Sequence, residues 1–225
     1  MKDEEVILRK CVAEEDLNAA FEAPYDAVDG WVYGCDKRMF VRIKKEECEG
    51  TYPEHRKGSV TQAMVGAPSD LYLPLSELAD TLAKCPLIDE EEEVGEDVAC
   101  DECDGDGTIY VDYWSSKRNR YFDLECECPV CGGTGYMERV KTVKTGRKVL
   151  DPMAVVSIDG IGFKSDYLAV LKDLAGMMGV ESLHIVNFGK ARAMVVQLSE
   201  SVQFGLMPNT LPKVVAKMET RRAKV

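Results

Sequence analysis

Histidine is scarce in this chain: His55 and His184 are the only two among 225 residues. No H-E-x-x-H or G-x-S-x-G pattern occurs, no Gly-rich loop leads into Lys and Ser/Thr, and no H-x-E precedes a P-C-x-x-C. These absences exclude a zinc protease, a serine hydrolase of the nucleophile-elbow type, a P-loop NTPase and a zinc deaminase. His184 stands among alternating apolar residues and reads as a packed side chain, so the expectation is a protein that is not an enzyme. Long apolar runs are missing too. Nothing approaches the roughly 20 consecutive apolar residues that span a bilayer. The start Met1-Lys2-Asp3-Glu4-Glu5 is unlike a signal peptide, and a cytoplasmic location without membrane contact is expected.

Positive charge is also in deficit, with 28 Lys and Arg against 40 Asp and Glu, for a net charge of −12. Such a chain does not coat nucleic acid through a uniformly basic surface, although a local basic face is compatible with it. Seven of the nine residues from Asp89 to Asp97 are acidic, a block that reads as a solvated linker. The end of the chain leans the other way: Lys213, Lys217, Arg221, Arg222 and Lys224 face only Glu219. This basic tail is either a phosphate contact or a frayed terminus.

Cysteine, by contrast, is plentiful and patterned. Of nine cysteines, four fall in two copies of C-x-x-C-x-G-x-G, one beginning at Cys100 and one at Cys128. Two thiolates separated by two residues can grip one metal from a tight turn. A pair of such turns supplies the four sulfurs of a closed tetrahedral zinc site. The glycines let the chain fold back so that backbone N–H groups face the sulfurs. Cys100, Cys103, Cys128 and Cys131 are therefore the expected ligands of one structural Zn2+ per chain. Cys126, two residues before Cys128, either substitutes as a ligand or packs. The other cysteines, Cys11, Cys35, Cys48 and Cys85, are scattered and read as reduced thiols rather than a secreted disulfide framework.

Hydrophobic periodicity organises the rest. A strand is predicted over residues 5–12, helical spacing at Leu17, Ala20 and Phe21, and strands over 30–35 and 38–44. Ser76 reads as the N-cap of a short helix through Leu78 and Leu82 that ends before Pro86. Between the two cysteine motifs, residues 109–124 read as a β-hairpin with a polar tip at 115–120. There Lys117, Arg118 and Arg120, flanked by Tyr113, Trp114 and Tyr121, combine charge with stacking area and are a candidate nucleic-acid contact. Arg139, Lys141, Lys144, Arg147 and Lys148 form a basic exit strand. A strand over 155–158 follows, then a helix capped by Ser165 with Leu168, Leu171, Leu174, Ala175 and Met178 on its apolar face, closed by Gly179. Strands over 182–186, 191–198 and 202–207 complete a β-α-β-β-β order, which the β-α-β-β of the first segment nearly repeats. The expected domains are 1–95 (first half of the core with an acidic linker), 96–145 (zinc lobe), 146–212 (second half) and 213–225 (basic tail).

Two family resemblances rest on these residues. The repeated C-x-x-C-x-G-x-G resembles the cysteine-rich domain of DnaJ-type chaperones, with two motifs here instead of four and no His-Pro-Asp signature, so co-chaperone activity is not implied. Residues 30–43, the Tyr52-Pro53 pair, residues 162–171 and Gly205-Leu206-Met207-Pro208 resemble segments of DNA sliding clamps of the polymerase III beta type. What that resemblance implies is an α+β fold, a duplicated β-α-β-β-β clamp-like domain carrying the zinc hairpin as an insertion. It also implies a DNA replication accessory or scaffold, with a replication protein or polymerase as partner, DNA as a possible one, and oligomers possible; the setting expected for such a protein with a zinc insertion is a phage or mobile-element replication system. The chain departs from a DNA-encircling clamp in its first helix, where Glu14, Glu15, Asp16 and Glu22 meet no basic residue. The alternative reading is a zinc-dependent peptide-binding module, similar in its lobe to the DnaJ region, on an unrelated core.

Overall fold

The computed structural model describes residues 3–13, 21–61, 63–209 and 214–222. The chain divides into two compact units, one of Met1–Ile88 with Leu150–Val225 and one of Asp89–Val149.

In the first unit the chain runs through α1 (Glu4–Arg9), β1 (Tyr25–Asp26), β2 (Trp31–Cys35), β3 (Met39–Lys44), β4 (Ala67–Pro74) and α2 (Leu75–Leu82). The second unit takes up most of β5 (Leu87–Ala99), then β6 (Thr108–Ser115), β7 (Arg120–Glu127) and most of β8 (Tyr136–Leu150). The first unit resumes with β9 (Val155–Ile158), β10 (Ile161–Lys164), α3 (Ser165–Met177), β11 (Ser182–Phe188), β12 (Met194–Ser199), β13 (Val202–Leu206), β14 (Val214–Met218) and β15 (Arg221–Arg222). The fold is α+β, mostly sheet with few helices.

An eight-stranded sheet in the order β1-β2-β3-β13-β12-β11-β4-β15 organises the first unit, beside a three-stranded sheet β10-β9-β14. The antiparallel meanders β1-β2-β3 and β11-β12-β13 are joined through their last strands, with Met39 opposite Leu206 and Ile43 opposite Val202. Period-2 alternation explains the two faces. Val32, Val41, Ile43, Leu183, Ile185, Val196, Phe204 and Leu206 point to a core that also buries Leu8, Leu78, Leu168, Leu171 and Leu174 from the helices. On the opposite face a single register row crosses seven strands: Tyr33, Arg42, Gln203, Gln197, His184, Tyr72 and Arg221. Arg42 donates to Gln203 and to the Tyr33 hydroxyl, Gln203 donates to Gln197, and His184 stacks on Tyr72 with its Nε2 3.0 Å from Asp70. His184 is thus a packed member of a polar ladder, which agrees with its reading from sequence.

Several expectations change. Residues 5–12, predicted as a strand, contain α1 instead, because the buried set Glu4, Ile7, Leu8 and Cys11 has i, i+3, i+4, i+7 spacing, while Val6 is exposed. The helix expected around Leu17 and Ala20 lies outside the described residues. Ser76 does not cap α2, which starts after Pro74. Nor does Ser165 cap α3: it is the first helical residue, and its hydroxyl donates to the Asp151 carbonyl at 3.3 Å. That helix does end as predicted, with Gly179 N–H donating to the Gly176 carbonyl and Val180 N–H to that of Ala175, the paired bonds of a Schellman motif. A strand leads directly into a helix in both halves, β4 into α2 and β10 into α3, but the elements around them run in different order, α1-β1-β2-β3-β4-α2 against β9-β10-α3-β11-β12-β13, so the five-element unit is not shown twice. The basic tail is built into the sheets: β14 pairs in parallel with β9, Met218 is buried, and Arg221 pairs with β4 and with Glu77. Lys213 and Lys224 lie outside the described residues.

One buried carboxylate ties α1 down. Glu4 accepts hydrogen bonds from the amides of Glu49 and Gly50 and from the Tyr52 hydroxyl, at 2.6 to 3.0 Å. Burial pushes its pKa up, but these donors together hold it below the ordinary 4.5. A depressed folded pKa contributes stability that is complete above 4.5 and is lost as pH falls through the lower folded value. Glu4→Gln is therefore expected to cost about 1.5–3 kcal/mol at neutral pH, in the range for hydrogen bonds to a charged group. Urea unfolding of both proteins across pH measures this, and the difference between them should vanish in strong acid.

Candidate metal centre

The two cysteine motifs fold as mirror tasks around one point. In each, a strand delivers the first cysteine and the next strand departs after the last glycine: β5 enters and β6 leaves the first knuckle, β7 enters and β8 leaves the second. Cys100 N–H donates to the Gly135 carbonyl and Cys128 N–H to the Gly107 carbonyl, both at 2.8 Å, so each knuckle begins on the end of the other. Gly107 and Gly135 then donate their amides to the sulfurs of Cys103 and Cys131, at 3.2 and 3.3 Å. Only glycine suits these two places. Their φ values are 79° and 77°, and a Cβ would lie 2.4 Å from the Gly133 carbonyl oxygen or 2.3 Å from that of Gly105.

The result is a cluster of four sulfurs, from Cys100, Cys103, Cys128 and Cys131, all within 4.8 Å of one another. The Cys100–Cys128 and Cys103–Cys131 separations are 3.9 and 3.8 Å. A tetrahedron with sulfurs about 2.3 Å from its centre has edges of about 3.8 Å, whereas a disulfide brings sulfurs to about 2.05 Å. The set can therefore hold a metal ion. Burial opposes ionisation of Cys131, yet the Gly135 amide and its neighbours bring that thiol down to about 6, while burial pushes Cys100 up to about 11. Cys126 stands apart. It is exposed on β7, its thiol donates to the Ile109 carbonyl at 3.7 Å, and it is not a member of the cluster.

Between the knuckles, β6 and β7 form the predicted hairpin with Thr108 opposite Glu127 and Ser115 opposite Arg120. This register separates the residues that the sequence grouped at its tip. Trp114 and Tyr121 face each other, ring centroids 4.9 Å apart, in the same alternating set as Asp112, Asp123, Tyr110 and Glu125. A hydrogen bond to the facing Asp123 carboxyl, and then that group's charge, raises the pKa of Asp112. Arg120 and Arg118 instead lie over the Phe122 ring, 4.4 and 5.9 Å from its centroid, on the other face.

The acidic block is not a linker. It is the strand β5, and it pairs with β8, the predicted basic exit strand. Lys144 bonds to Asp89 at 2.7 Å, Lys148 also reaches Asp89, Lys141 reaches Glu96, and Arg139 lies 4.0 Å from Asp101. The two lysines hold the Asp89 carboxyl at about 2. Much of the exit strand's charge is thereby neutralised within the ribbon.

A cavity of about 200 Å³ in the first unit was not foreseen as a site. Phe21, Met39, Phe40, Met64 and Met207 line it, with Lys37 and Arg38 also on its wall. The turn before β3 and the end of β13 meet there, since Met39 pairs with Leu206 and Met207 N–H donates to the Arg38 carbonyl at 2.8 Å. Residues 36–40 and 205–207 were already marked in the sequence, but only their pairing makes a pocket of them. Among the described residues no helix is long and apolar enough to cross a membrane.

The chain matches no family model and no curated protein. Among solved structures it is similar to DNA polymerase III subunit beta from Pseudomonas aeruginosa, at 10% identity over 92% of this chain and 64% of that one, with a TM-score of 0.42. It is also similar to the Helicobacter pylori beta clamp bound to DNA ligase peptide (10% identity, 93% and 63% coverage, TM-score 0.44). A third is the DNA polymerase III beta chain of Streptococcus pneumoniae (6% identity, 93% and 63%, TM-score 0.47). The chain spans just under two thirds of the length of these proteins. The likeness to sliding clamps extends over about 92% of the chain.

Proposed function

We propose that this chain is a non-enzymatic, clamp-like accessory or scaffold of DNA replication, with an insertion held by one structural Zn2+. One observation carries the reading: two segments that resemble sliding clamps, residues 30–43 and 205–208, pair directly and line a single apolar cavity. A replication protein or polymerase would insert an apolar side chain there and place acidic neighbours near Lys37 and Arg38. The setting is cytoplasmic replication of a phage or mobile element. Zinc suits the lobe because four thiolates in tetrahedral array leave no open position for a substrate, which is the pattern of structural rather than catalytic sites.

Binding of fluorescein-labelled peptides with Leu or Phe flanked by Asp tests the pocket. Burying one such side chain is worth about 1.5–3 kcal/mol, or roughly tenfold to a hundredfold in affinity. Met207→Glu is expected to weaken the tightest peptide by at least about tenfold. If no peptide in the panel binds and salt-dependent binding to duplex DNA is also nil, the reading falls.

A second reading, a zinc-dependent peptide-binding module, is favoured by the hairpin. Ile109, Val111, Tyr113, Phe122 and Leu124 occupy one face of it. Nucleic-acid contact by Lys117, Arg118, Arg120, Trp114 and Tyr121 is the weaker reading for the lobe, because the two stacking rings stand among carboxylates that repel phosphate.

A further inference from the structure

We infer that the apolar face of the β6–β7 hairpin docks an acidic, amphipathic segment of a partner protein, with its carboxylates held by Arg118 and Arg120. The inference deepens the peptide-binding reading of the lobe and needs the cysteine knuckles to be folded. It does not depend on the clamp reading.

The hairpin register sets Ile109 beside Cys126, Val111 beside Leu124, Tyr113 beside Phe122 and Ser115 beside Arg120, all on one face. Six strand steps at about 3.3 Å make this a stripe about 20 Å long. Its middle is open to solvent, with Val111 44% exposed, Leu124 50% and Tyr113 55%, while Ile109 at one end packs against the cysteine cluster and Phe122 is half-buried. The contiguous exposed patch of Val111, Tyr113 and Leu124, continued by half-buried Phe122, marks an interaction surface rather than a solvated loop.

Charge selects the occupant. At the tip end both guanidiniums lie over the Phe122 ring, and neither forms an ion pair among the described residues. The lysines of β8 differ, since Lys141, Lys144 and Lys148 are already neutralised by β5. The reverse face of the hairpin carries Asp112, Asp123, Glu125 and Glu127, which turn an anionic partner away. An acidic segment is thus attracted to one side and repelled from the other. A basic segment would find its carboxylates on the reverse face, away from the apolar stripe. Both β6 and β7 are edge strands of a two-stranded sheet, so an extended segment can pair with either edge and turn its alternate apolar side chains toward the stripe.

The test uses the full zinc-loaded chain and three labelled probes: a peptide alternating Leu or Val with Glu, the same peptide with Lys for Glu, and a single-stranded oligonucleotide. Fluorescence anisotropy should show the Glu peptide binding at least tenfold tighter than the Lys peptide. V111T/L124T, which keeps β-branched or polar strand formers at exposed positions, should weaken it at least tenfold. R118Q/R120Q should weaken it several-fold and remove its salt dependence. W114A/Y121A, on the reverse face, should change it less than twofold. One zinc per chain in each variant shows that the lobe is folded. Equal binding of both peptides overturns the inference, as does loss of binding in W114A/Y121A with V111T/L124T unaffected. Tight binding of the oligonucleotide through Arg118 and Arg120 without peptide binding overturns it in favour of nucleic acid. Met207→Glu, which alters the cavity of the first unit and not the hairpin, should leave this interaction unchanged, so failure here is distinct from failure of the pocket.

Discussion

Replacing Cys128 or Cys131 by serine is expected to release the metal and unfold residues 89–149 while the first unit stays intact. The lobe has almost nothing else to hold it. Its buried apolar cluster consists of Cys100, Cys103 and Cys128 with Ile109 and Cys131 against them, and β5 and β8 are exposed along most of their length. Structural zinc supplies about 10–16 kcal/mol in small knuckle peptides, far above what a few exposed cross-strand pairs offer. Elemental analysis should find one zinc per wild-type chain and little in either variant. Hydrogen exchange should show protection lost over the lobe and retained in the eight-stranded sheet. Cys126→Ser is the control and should keep its zinc, because that thiol is outside the four-sulfur cluster. Full zinc retention in both ligand variants would remove the site, and with it the account of how the lobe folds.

Gly34→Val is expected to destabilise the first unit at or above the top of the usual range for overpacked cores, about 3 kcal/mol. Gly34 lies on β2 directly beneath α1: a Cβ there would be 1.8 Å from the Leu8 carbonyl oxygen and 2.7 Å from its carbon. Those are backbone atoms, so no side-chain rotation relieves the clash. The helix must move off the sheet, and Ile7, Leu8 and Cys11 leave the core with it. For a unit of this size each kcal/mol lowers Tm by about 2–4 °C, so a fall of roughly 6–12 °C is expected in calorimetry. Gly205→Ala should cost less. Its Cβ would meet the Phe40 ring at 2.0 Å, a side chain that can swing into the neighbouring cavity. An unchanged Tm in Gly34→Val would mean that α1 does not rest on β2.

The strands β2, β3, β11, β12 and β13 were readable because their alternation has one interpretation, whereas the two-residue β1 carries no such signal. Val32, Val41, Ile43, Val196, Phe204 and Leu206 repeat every second residue, and a strand is the structure that puts such residues on one face. Residues 4–11 were not readable in this way. Val6, Leu8 and Lys10 with Val12 suggest a strand, while Glu4, Ile7, Leu8 and Cys11 suggest a helix, and the choice falls to the side chain least expected in a core. Glu4 is buried because amides 45 and 46 residues away satisfy it. The acidic run of β5 was misread for the same kind of reason: like charges side by side favour solvent until a basic strand some 50 residues later neutralises them. The tip of the hairpin shows a third limit. Composition placed Lys117, Arg118, Arg120, Trp114 and Tyr121 together, and a register with period 2 divided them between two faces.

By itself the sequence determined the four-sulfur site, the hairpin between its knuckles and the strands β2, β3, β11, β12 and β13. Each depends on spacing within a few residues, and short-range geometry leaves little freedom in how such spacing is satisfied. Tertiary structure alone decided that the acid-rich segment is a strand, that the basic tail joins two sheets, and that residues 36–40 and 205–207 enclose one cavity. Those outcomes depend on partners distant along the chain, whose contact free energy outweighs the local preference of the segments they join.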